Sequence, residues 1–497
     1  MDFASLVKVL RSGQTAEFPE DADSLEFARS LDAQDKLGHL RDQFILPTKG
    51  SLKKTALDGS IPGGGANLDA AHKAAADHDP SSPAIYLVGN SLGAQPKLVR
   101  SYLAAHLETW ASIGVGGHFT DLDNSPLANW QDLAAACAAK SAPLVGASPD
   151  EVVMMNTLTA NLHFMMASFY RPTARRHKIM LEWKPFPSDW YAIQSQVAWH
   201  GRDPDASMVE LQPPDPSAPE YVPTAAVLAA IDAHADETAL LLLPGIQYYS
   251  GQLFDMQAIT AHAHARGIPA VGWDLAHAAG NVPLRLHEWD VDFAVWCTYK
   301  YLNAGPGTIA GAFVHARHGG VGAEGPGRFR PRLAGWYGGD KASRFEMART
   351  FRPTPGAAGF QLSNPSGADL AGLAAALDVF AMTTVEDLRS KALVLTAYAE
   401  ALLDGLLRAG AGRAADGTAA FRLITPRNPL ERGAQLSVRL REGRLLERVG
   451  AALKKEGVVC DTRKPDVLRV APVPMYCTFE DVCRFVHLFG AALTAGD

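Results

Sequence analysis

The chain has 497 residues, 47% of them hydrophobic, so it can bury a large core, and we expect one major and one minor domain. Its 46 basic and 53 acidic residues give a net charge of -7 without long charge runs. This balance argues against nucleic-acid binding and favours a small-molecule substrate. We expect no membrane span and no signal peptide, because no apolar run reaches roughly 18 residues. The five cysteines lie far apart in mostly apolar stretches, which predicts free, buried thiols in the reducing cytoplasm.

The first 83 residues are predicted to form an N-terminal segment with one helix and one loop. Apolar residues recur at helical spacing between 21 and 37, which predicts the helix. From 46 to 83 the composition turns to Gly, Pro, Ala and Lys, with three consecutive glycines at 63–65. Such a stretch is typical of a loop or an inserted segment.

Residues 84–366 are predicted to form the large domain, an α/β fold with a mainly parallel central sheet flanked by helices. The short apolar runs EVVMM, KIMLEW, ALLLLP, PAVGWD, DFAVWC and GAFVHA predict buried strands. They alternate with helical patterns such as 158–170 and 256–266, and this alternation predicts the parallel sheet. In such sheets, ligands bind at the carboxyl ends of the strands.

Two long helices and a smaller α+β domain are predicted to complete the chain. The helices, at 369–382 and 385–409, make up a bridging segment from 367 to 420. The small domain, 421–497, combines strands at 421–424, 435–440 and 467–470 with helices at 444–456 and 479–493.

Two residues with complementary chemistry follow neighbouring strands of the large domain. Asp274 ends the run PAVGWD, and Lys300 comes just after DFAVWC, beside Tyr299, Tyr301 and a Gly-Pro-Gly turn. The simplest interpretation is an ion pair. A more specific one is a site for pyridoxal phosphate (PLP), where a buried lysine forms a Schiff base and a carboxylate keeps the pyridine nitrogen protonated.

Two further features suit the same cofactor, although each has an ordinary alternative. The stretch Thr157-Leu158-Thr159-Ala160-Asn161 follows a predicted strand and opens a helix, so its free N–H groups could bind a phosphate. A plain threonine cap is the alternative and is favoured by this signal alone. Phe186 stands between two prolines, which could fix its ring against a pyridine ring or simply place it in the core.

The histidines give no metal-binding pattern in the sequence. His262 and His264 are two residues apart in a predicted helix, whereas one helix face requires a spacing of three or four. We therefore expect both to be solvated. We expect no metal, because no cysteine or carboxylate cluster has ligand spacing.

Several motifs, spread in order from residue 86 to residue 476, resemble those of one enzyme family. They are YLVGNSLGAQPK, NTLTANLH, FPSDWYAIQSQ, YYSGQ, DLAHAAGNVPLRLHEWDVDFAVWCTYKYLNAGPG, GWYG, FQLSNPS and LRVAPVPMY. These motifs resemble those of the kynureninases, which are PLP enzymes of fold type I. The resemblance implies a homodimer that cleaves kynurenine or 3-hydroxykynurenine into alanine and an anthranilate.

The resemblance also implies cofactor-binding and catalytic positions. Lys300 matches the Schiff-base lysine, Asp274 the partner of the pyridine nitrogen, and Tyr249 a tyrosine that contacts the phosphate and serves as a proton donor. Trp336 and Asn364 match residues that enter the site from the other subunit. The complete set of implied cofactor contacts is Leu158, Thr159, Phe186, Pro187, Ser188, Asp189, Asp274, His277, Tyr299, Lys300, Trp336 and Asn364.

Substrate contacts are implied at four positions. Arg469 matches the arginine that binds the substrate α-carboxylate, a task suited to a planar, bidentate donor. Ser91, His118 and Asn364 match positions at the aromatic end of the substrate. Because His118 and Asn364 can hydrogen-bond a ring hydroxyl, 3-hydroxykynurenine is the expected better substrate.

One departure and two alternative functions accompany this assignment. Pro244 stands where some family members carry a hydroxyl residue that contacts the cofactor. The chain could instead be another PLP enzyme of fold type I, such as a cysteine desulfurase or a β-eliminating lyase. A desulfurase needs an exposed, nucleophilic cysteine, which the apolar surroundings of the cysteines disfavour. The second alternative is a catalytically silent homologue, which the presence of Lys300 and Asp274 disfavours.

Overall fold

The computed structural model describes residues 2–62, 79–322, 329–347, 349–410, 412 and 417–494. The three glycines at 63–65, in the predicted loop, therefore lie outside the described residues. Its α-helices, in chain order, are α1 (Phe3–Arg11), α2 (Leu25–Asp32), α3 (Leu98–Ile113), α4 (Leu133–Val145), α5 (Leu158–Phe169), α6 (Pro187–Trp199), α7 (Pro204–Ser207), α8 (Thr224–His234), α9 (Met256–Ala265), α10 (Ala316–Gly319), α11 (Gly367–Phe380), α12 (Val385–Arg408), α13 (Gly443–Lys455) and α14 (Phe479–Thr494). Its strands are β1 (Phe44–Ile45), β2 (Ile85–Tyr86), β3 (Gln95–Pro96), β4 (Val152–Met154), β5 (Lys178–Glu182), β6 (Met208–Leu211), β7 (Thr238–Pro244), β8 (Val271–Asp274), β9 (Phe293–Trp296), β10 (Gly311–Val314), β11 (Phe421–Leu423), β12 (Leu436–Leu440), β13 (Val458–Val459), β14 (Asp461–Arg463) and β15 (Val467–Val470).

The chain divides into two compact units. The first, here called the sheet unit, consists of Val99–Tyr248 and Leu253–Asp378. The second, the terminal unit, joins Met1–Leu98 and Tyr249–Gln252 to Val379–Asp497. These bounds differ from the predicted ones, since the N-terminal segment groups with the end of the chain. The division into four parts at 83, 366 and 420 stays a prediction.

The sheet unit is built around a seven-stranded sheet in the order β4-β10-β9-β8-β7-β5-β6. From β9 to β6 the strands are parallel, whereas β10 runs antiparallel to both β9 and β4. All six predicted strands are present, and helices separate most of them along the chain. The predicted α/β class with a mainly parallel sheet is therefore confirmed. The edge strand β6 was missed because its residues are only partly buried and lack a continuous apolar run.

Close packing between neighbouring strands depends on glycine. Gly311 of β10 pairs with Trp296 of β9, and the fully buried indole ring occupies the space beside it. A Cβ atom at 311 would lie 2.3 Å from the Trp296 ring. Because β9 and β10 each have a neighbouring strand on both sides, neither can move away without breaking ladder hydrogen bonds.

Gly311→Ala is therefore expected to lower the stability of the protein by about 1–3 kcal/mol, the usual cost of overpacking a core. The measurement is the Tm of the purified enzyme by scanning calorimetry. Gly320→Ala is the matched control, because a Cβ at 320 meets nothing within 4 Å. Equal Tm values for the two variants would contradict the packing argument.

The terminal unit combines both ends of the chain. Its main sheet has the order β11-β12-β15-β14 and is antiparallel, and β2 pairs in parallel with β13. The Tyr398 hydroxyl donates to the carbonyl oxygen of Ala22 at 2.7 Å, and the Phe479 N–H donates to the Asp32 carboxylate at 2.7 Å. The predicted strands and helices of the small domain are present, whereas the short strands β13 and β14 were not predicted.

Helix bounds follow the capping residues. The predicted helix at 21–37 is observed only as α2, because the Ser24 side chain accepts a hydrogen bond from the Phe27 N–H and starts the helix there. The bridging helices α11 and α12 lie within two residues of their predicted bounds. No single helix in the described ranges has the length and composition of a membrane span; α11 and α12 reach them only together, across a bend of 77°.

Candidate active site

Several of the predicted site residues meet in one pocket of the sheet unit. The pocket, about 180 Å³ in volume, lies where β5, β7 and β8 end at their carboxyl edge and where the chain leaves β9. This is the edge at which parallel sheets bind ligands. The predicted residues that line it are Leu158, Thr159, Phe186, Ser188, Asp189, Asp274, His277, Tyr299 and Lys300. Pro187 is not among the lining residues; it is the first residue of α6.

Lys300 is half-buried in this pocket and faces a histidine. Its Nζ lies 3.1 Å from Nε2 of His277, which is buried at the carboxyl side of β8. Since an ammonium group can only donate, Nε2 accepts and this imidazole is neutral when Lys300 is charged. Lys300 Nζ also lies 6.0 Å from the centre of the Phe186 ring. An amine in this position can exchange a proton with His277 and reach a ligand in the pocket.

Two carboxyl groups lie side by side in the same pocket. Asp274, the last residue of β8, is buried, and its Oδ1 accepts a hydrogen bond of 2.7 Å from the Ala276 N–H. Burial raises the pKa of Asp189 well above its usual range, and the neighbouring, hydrogen-bonded Asp274 raises it further. This shift favours the protonated form of Asp189, which can donate a hydrogen bond to the Asp274 carboxyl group. Two carboxyl groups that share a hydrogen bond suit a cationic ring nitrogen.

Hydroxyl groups from two helix starts also meet in the pocket. Thr159 Oγ1, in the first turn of α5, lies 2.6 Å from Ser188 Oγ in the first turn of α6. Thr157, the residue before α5, makes no side-chain capping hydrogen bond, so the plain threonine cap is not what the structure contains. The N–H groups of this helix start are thus available to an anion such as a phosphate.

Aromatic side chains form one wall of the pocket. Phe186 is 45% exposed, which excludes the alternative that it is a core residue. Its ring contacts Tyr248 edge to face, with the centroids 5.3 Å apart. Burial and, secondarily, Cys297 raise the pKa of the Tyr299 phenol, so this hydroxyl remains a hydrogen-bond donor. Phe186 can therefore cover a planar ligand from one side.

Sequence reasoning missed Glu182 and Tyr248, which also line the pocket. Burial raises the pKa of Glu182 to about 7, although its carboxylate accepts hydrogen bonds from the Lys184 N–H and the Gln247 amide. Glu182 ends β5 just as Asp274 ends β8, so the position of a carboxylate at a strand end was the available signal. Pro244, the residue that departs from the family pattern, also lines the pocket.

Three predicted residues belong to the terminal unit. Tyr249 directly follows the pocket residue Tyr248 in the chain, and its hydroxyl lies 3.4 Å from the Asp466 carboxylate. Arg469 on β15 is almost fully buried and forms an ion pair with Asp461. Ser91 lies in a turn in which its N–H donates to a carbonyl oxygen at 2.8 Å.

Three others belong to the sheet unit but do not line the pocket. His118 packs edge to face on Trp130, with the ring centroids 5.0 Å apart. Its Nδ1 is buried and has no hydrogen-bond partner within the described part of the chain. Trp336 and Asn364 are exposed.

The pocket fits PLP in the chemistry of its donors. It offers an amine for the aldehyde, a carboxylate pair for the ring nitrogen, an aromatic ring for the ring face, and hydroxyl and N–H groups for the phosphate.

Known proteins with similar sequences cover almost the whole chain. It is 64% identical to Kynureninase 1 of Neurospora crassa over 99% of both chains, and 63% identical to the kynureninase of Pyricularia oryzae over 96% of both. Residues 388–489 match the family model of the kynureninase C-terminal domain.

Solved structures with low sequence identity share the fold. The Escherichia coli cysteine desulfurase CsdA has a TM-score of 0.65 at 16% identity, over 92% of this chain and 98% of that one. A C-DES mutant with glycine covalently linked to its PLP cofactor has a TM-score of 0.64 at 18% identity, over 83% and 97% of the two chains. These likenesses confirm fold type I, and the full-length relatives decide between its members: the chain belongs to the kynureninase family of PLP-dependent enzymes.

Proposed function

We propose that the chain hydrolyses L-kynurenine or 3-hydroxy-L-kynurenine to L-alanine and anthranilate or 3-hydroxyanthranilate. The observation that carries this proposal is the pocket in which Lys300 faces His277 beside the paired acids Asp189 and Asp274. The family membership selects the substrate class. PLP, held there, supplies an electron sink that stabilises negative charge next to the substrate amine.

The residues of the pocket divide the work of holding the cofactor. Lys300 holds the aldehyde end, and Asp274 holds the ring nitrogen, with Asp189 hydrogen-bonded behind it. Thr159 and Ser188, together with the start of α5, hold the phosphate, and the ring of Phe186 covers the pyridine face.

We assign the proton transfers to Lys300 and Tyr249. Lys300, once its amine is free, removes the substrate α-proton, and His277 keeps Nζ in place through the 3.1 Å hydrogen bond. Water then adds to the γ-carbonyl group, and the bond between the β and γ carbons breaks. We assign protonation of the β carbon to Tyr249, and binding of the substrate carboxylate to Arg469.

The activity is tested with purified enzyme, PLP and each substrate. Anthranilate fluorescence should rise in proportion to alanine, which is measured independently by an alanine dehydrogenase assay. A yellow protein that releases neither product would contradict the proposed reaction while leaving the cofactor assignment intact. Release of sulfide from cysteine would instead indicate a desulfurase, although burial raises the pKa of all five thiols and makes them poor nucleophiles.

We assign recognition of the 3-hydroxyl group to His118, whose Nδ1 is buried without a partner in the described residues. His118→Phe is expected to lower kcat/KM for 3-hydroxykynurenine by about tenfold more than for kynurenine, because only the former loses a hydrogen bond. Steady-state kinetics with both substrates measure this ratio. Equal losses would show that His118 does not recognise the hydroxyl.

A homodimer with shared active sites is part of the proposal. Phe119, Trp336 and Phe345 form an exposed aromatic cluster: the Phe345 ring lies 5.9 Å from Phe119 and 5.7 Å from Trp336, and the three are 61%, 46% and 54% exposed. Exposed aromatic clusters of this kind are typical of protein interfaces. A second copy of the chain covering it would also bury Trp336 and bring it, with Asn364, to the other subunit's pocket.

Phe345→Asp is expected to weaken self-association by roughly 30-fold or more, the effect of losing an interface hot spot. Sedimentation velocity over a concentration series measures the dimer dissociation constant. Trp199→Asp is the control, since Trp199 is an 86% exposed aromatic residue of the same unit outside the cluster. A Phe345→Asp protein that sediments like the wild type would place the dimer contact elsewhere.

For the cellular context, we propose a cytoplasmic enzyme of tryptophan breakdown through the kynurenine pathway, which feeds NAD synthesis. The free cysteines support the reducing compartment, since four of the five are buried. Fractionation followed by immunoblotting tests the location.

A further inference from the structure

A second group of reactive side chains lies in the sheet unit, on the opposite edge of the sheet. Glu151 precedes β4, His315 follows β10, and His287 lies in the loop between β8 and β9. Because Val314 pairs with Phe293, this group lies at the amino end of β9. The candidate active site lies beyond the carboxyl end of that four-residue strand, about 13 Å away at roughly 3.3 Å per residue.

The three side chains form a compact donor set. One ring nitrogen of each histidine and one Glu151 oxygen lie within 4.8 Å of one another. His287 Nδ1 is 2.8 Å from Glu151 Oε1, and the two imidazole rings are stacked with centroids 4.8 Å apart. Glu151 is 1% exposed, whereas the His287 side chain is 53% exposed. The set therefore has a buried carboxylate, Glu151, and a solvent-accessible imidazole, His287.

Backbone contacts fix the carboxylate in this orientation. The Ser148 N–H donates to Glu151 Oε2 at 3.0 Å, and the Ala316 N–H donates to Oε1 at 2.8 Å. A further carboxylate, Asp290, lies 3.4 Å from Nε2 of His315. The nearby cation Arg317 is paired with Asp290 and with Asp292, which offsets its charge.

We propose that Glu151, His287 and His315 bind a divalent transition-metal ion, with Zn²⁺ as the probe. Two imidazoles and one carboxylate are a usual zinc ligand set, and the exposed side leaves a fourth position for water. Mg²⁺ and Ca²⁺ prefer oxygen ligands alone. On binding, the metal takes the Nδ1 lone pair of His287, and the Nδ1 proton of the neutral ring is replaced by one on Nε2, exchanged through solvent, so that the ligand stays a neutral imidazole. The ligands are far apart in the sequence, so no spacing motif signals them.

The test is isothermal titration of tag-free, chelator-treated holoenzyme with Zn²⁺. The wild type should bind one ion per chain at this site, and His287→Ala should weaken that binding by more than roughly 100-fold, the upper range for losing only an outer partner of a ligand. His262→Ala is the matched control, because His262 also pairs with a carboxylate, Asp232 at 2.7 Å, but lies outside the set. It should bind Zn²⁺ like the wild type.

Co²⁺ provides a second measurement that does not depend on heat or activity. Wild type and His262→Ala should show the visible absorption of nitrogen-coordinated Co²⁺, and His287→Ala should not. A wild type that binds neither ion, or a His287→Ala protein that binds both as the wild type does, would overturn the proposal. Either result would leave a plain hydrogen bond between imidazole and carboxylate.

Discussion

Lys300→Ala is expected to end covalent attachment of the cofactor and to lower kcat by at least the ~10²–10⁴-fold that one positioned acid–base group supplies. The reason is that one amine performs two tasks, holding the aldehyde and moving the α-proton. No other lysine lines the pocket among the described residues. The measurements are borohydride reduction followed by peptide mass analysis, and single-turnover kinetics.

Lys178→Ala is the control for this experiment. Lys178 lies in the same unit and pairs with Glu237 at the surface, at 2.5 Å, so its loss should change neither attachment nor kcat. A Lys300→Ala protein that retains the reduced cofactor on a peptide from residues 274–307 would move the attachment point to a different residue. Full retention of turnover would remove Lys300 from the mechanism.

Asp274→Asn is expected to lower kcat by roughly 10²-fold or more, because a neutral amide cannot keep the ring nitrogen protonated. Asp189→Asn should lower kcat less, since it leaves the carboxyl group of Asp274 in place. Neither variant should have a lower Tm without cofactor, because an amide at either position can keep the hydrogen bond between the two side chains. Steady-state kinetics and calorimetry on both variants make the comparison.

Each variant replaces one carboxyl group by an amide of nearly the same size, and the two positions are neighbours. General damage to the pocket would therefore affect both variants alike. Equal losses of kcat in Asp274→Asn and Asp189→Asn would contradict separate roles for the two acids. A Tm that falls in either variant would show that the amide does not preserve the hydrogen bond between the two side chains.

Sequence analysis predicted the part of the site in which a charged residue directly follows a buried strand. Asp274 and Lys300 follow buried runs, and the rule that parallel sheets bind ligands at their carboxyl ends joined them in one pocket. Glu182 obeys the same rule, but it had no partner in the sequence to draw attention to it. The pairing of Asp189 with Asp274 could not be predicted, since it depends on where the first turn of α6 lies in space relative to the end of β8.

Other features depend on contacts that no local pattern encodes. The apolar run GAFVHA predicted β10 but not its antiparallel direction, because a hydrophobic pattern does not indicate in which direction a strand runs. His262 and His264 were expected to be solvated, yet His262 pairs with Asp232, and His264 bridges Asp290 and Asp292. For both histidines, the carboxylate partner belongs to another element of the chain.

The make-up of the terminal unit bears on how the protein is synthesised. The sheet unit is complete once residue 378 has left the ribosome, whereas the first 98 residues must wait for 379–494. Until then, apolar side chains such as Leu6, Leu10 and Leu31, fully covered in the finished protein, face water. Exposed apolar side chains of this kind favour aggregation, so a chain truncated near residue 378 is expected to aggregate more readily than the complete protein.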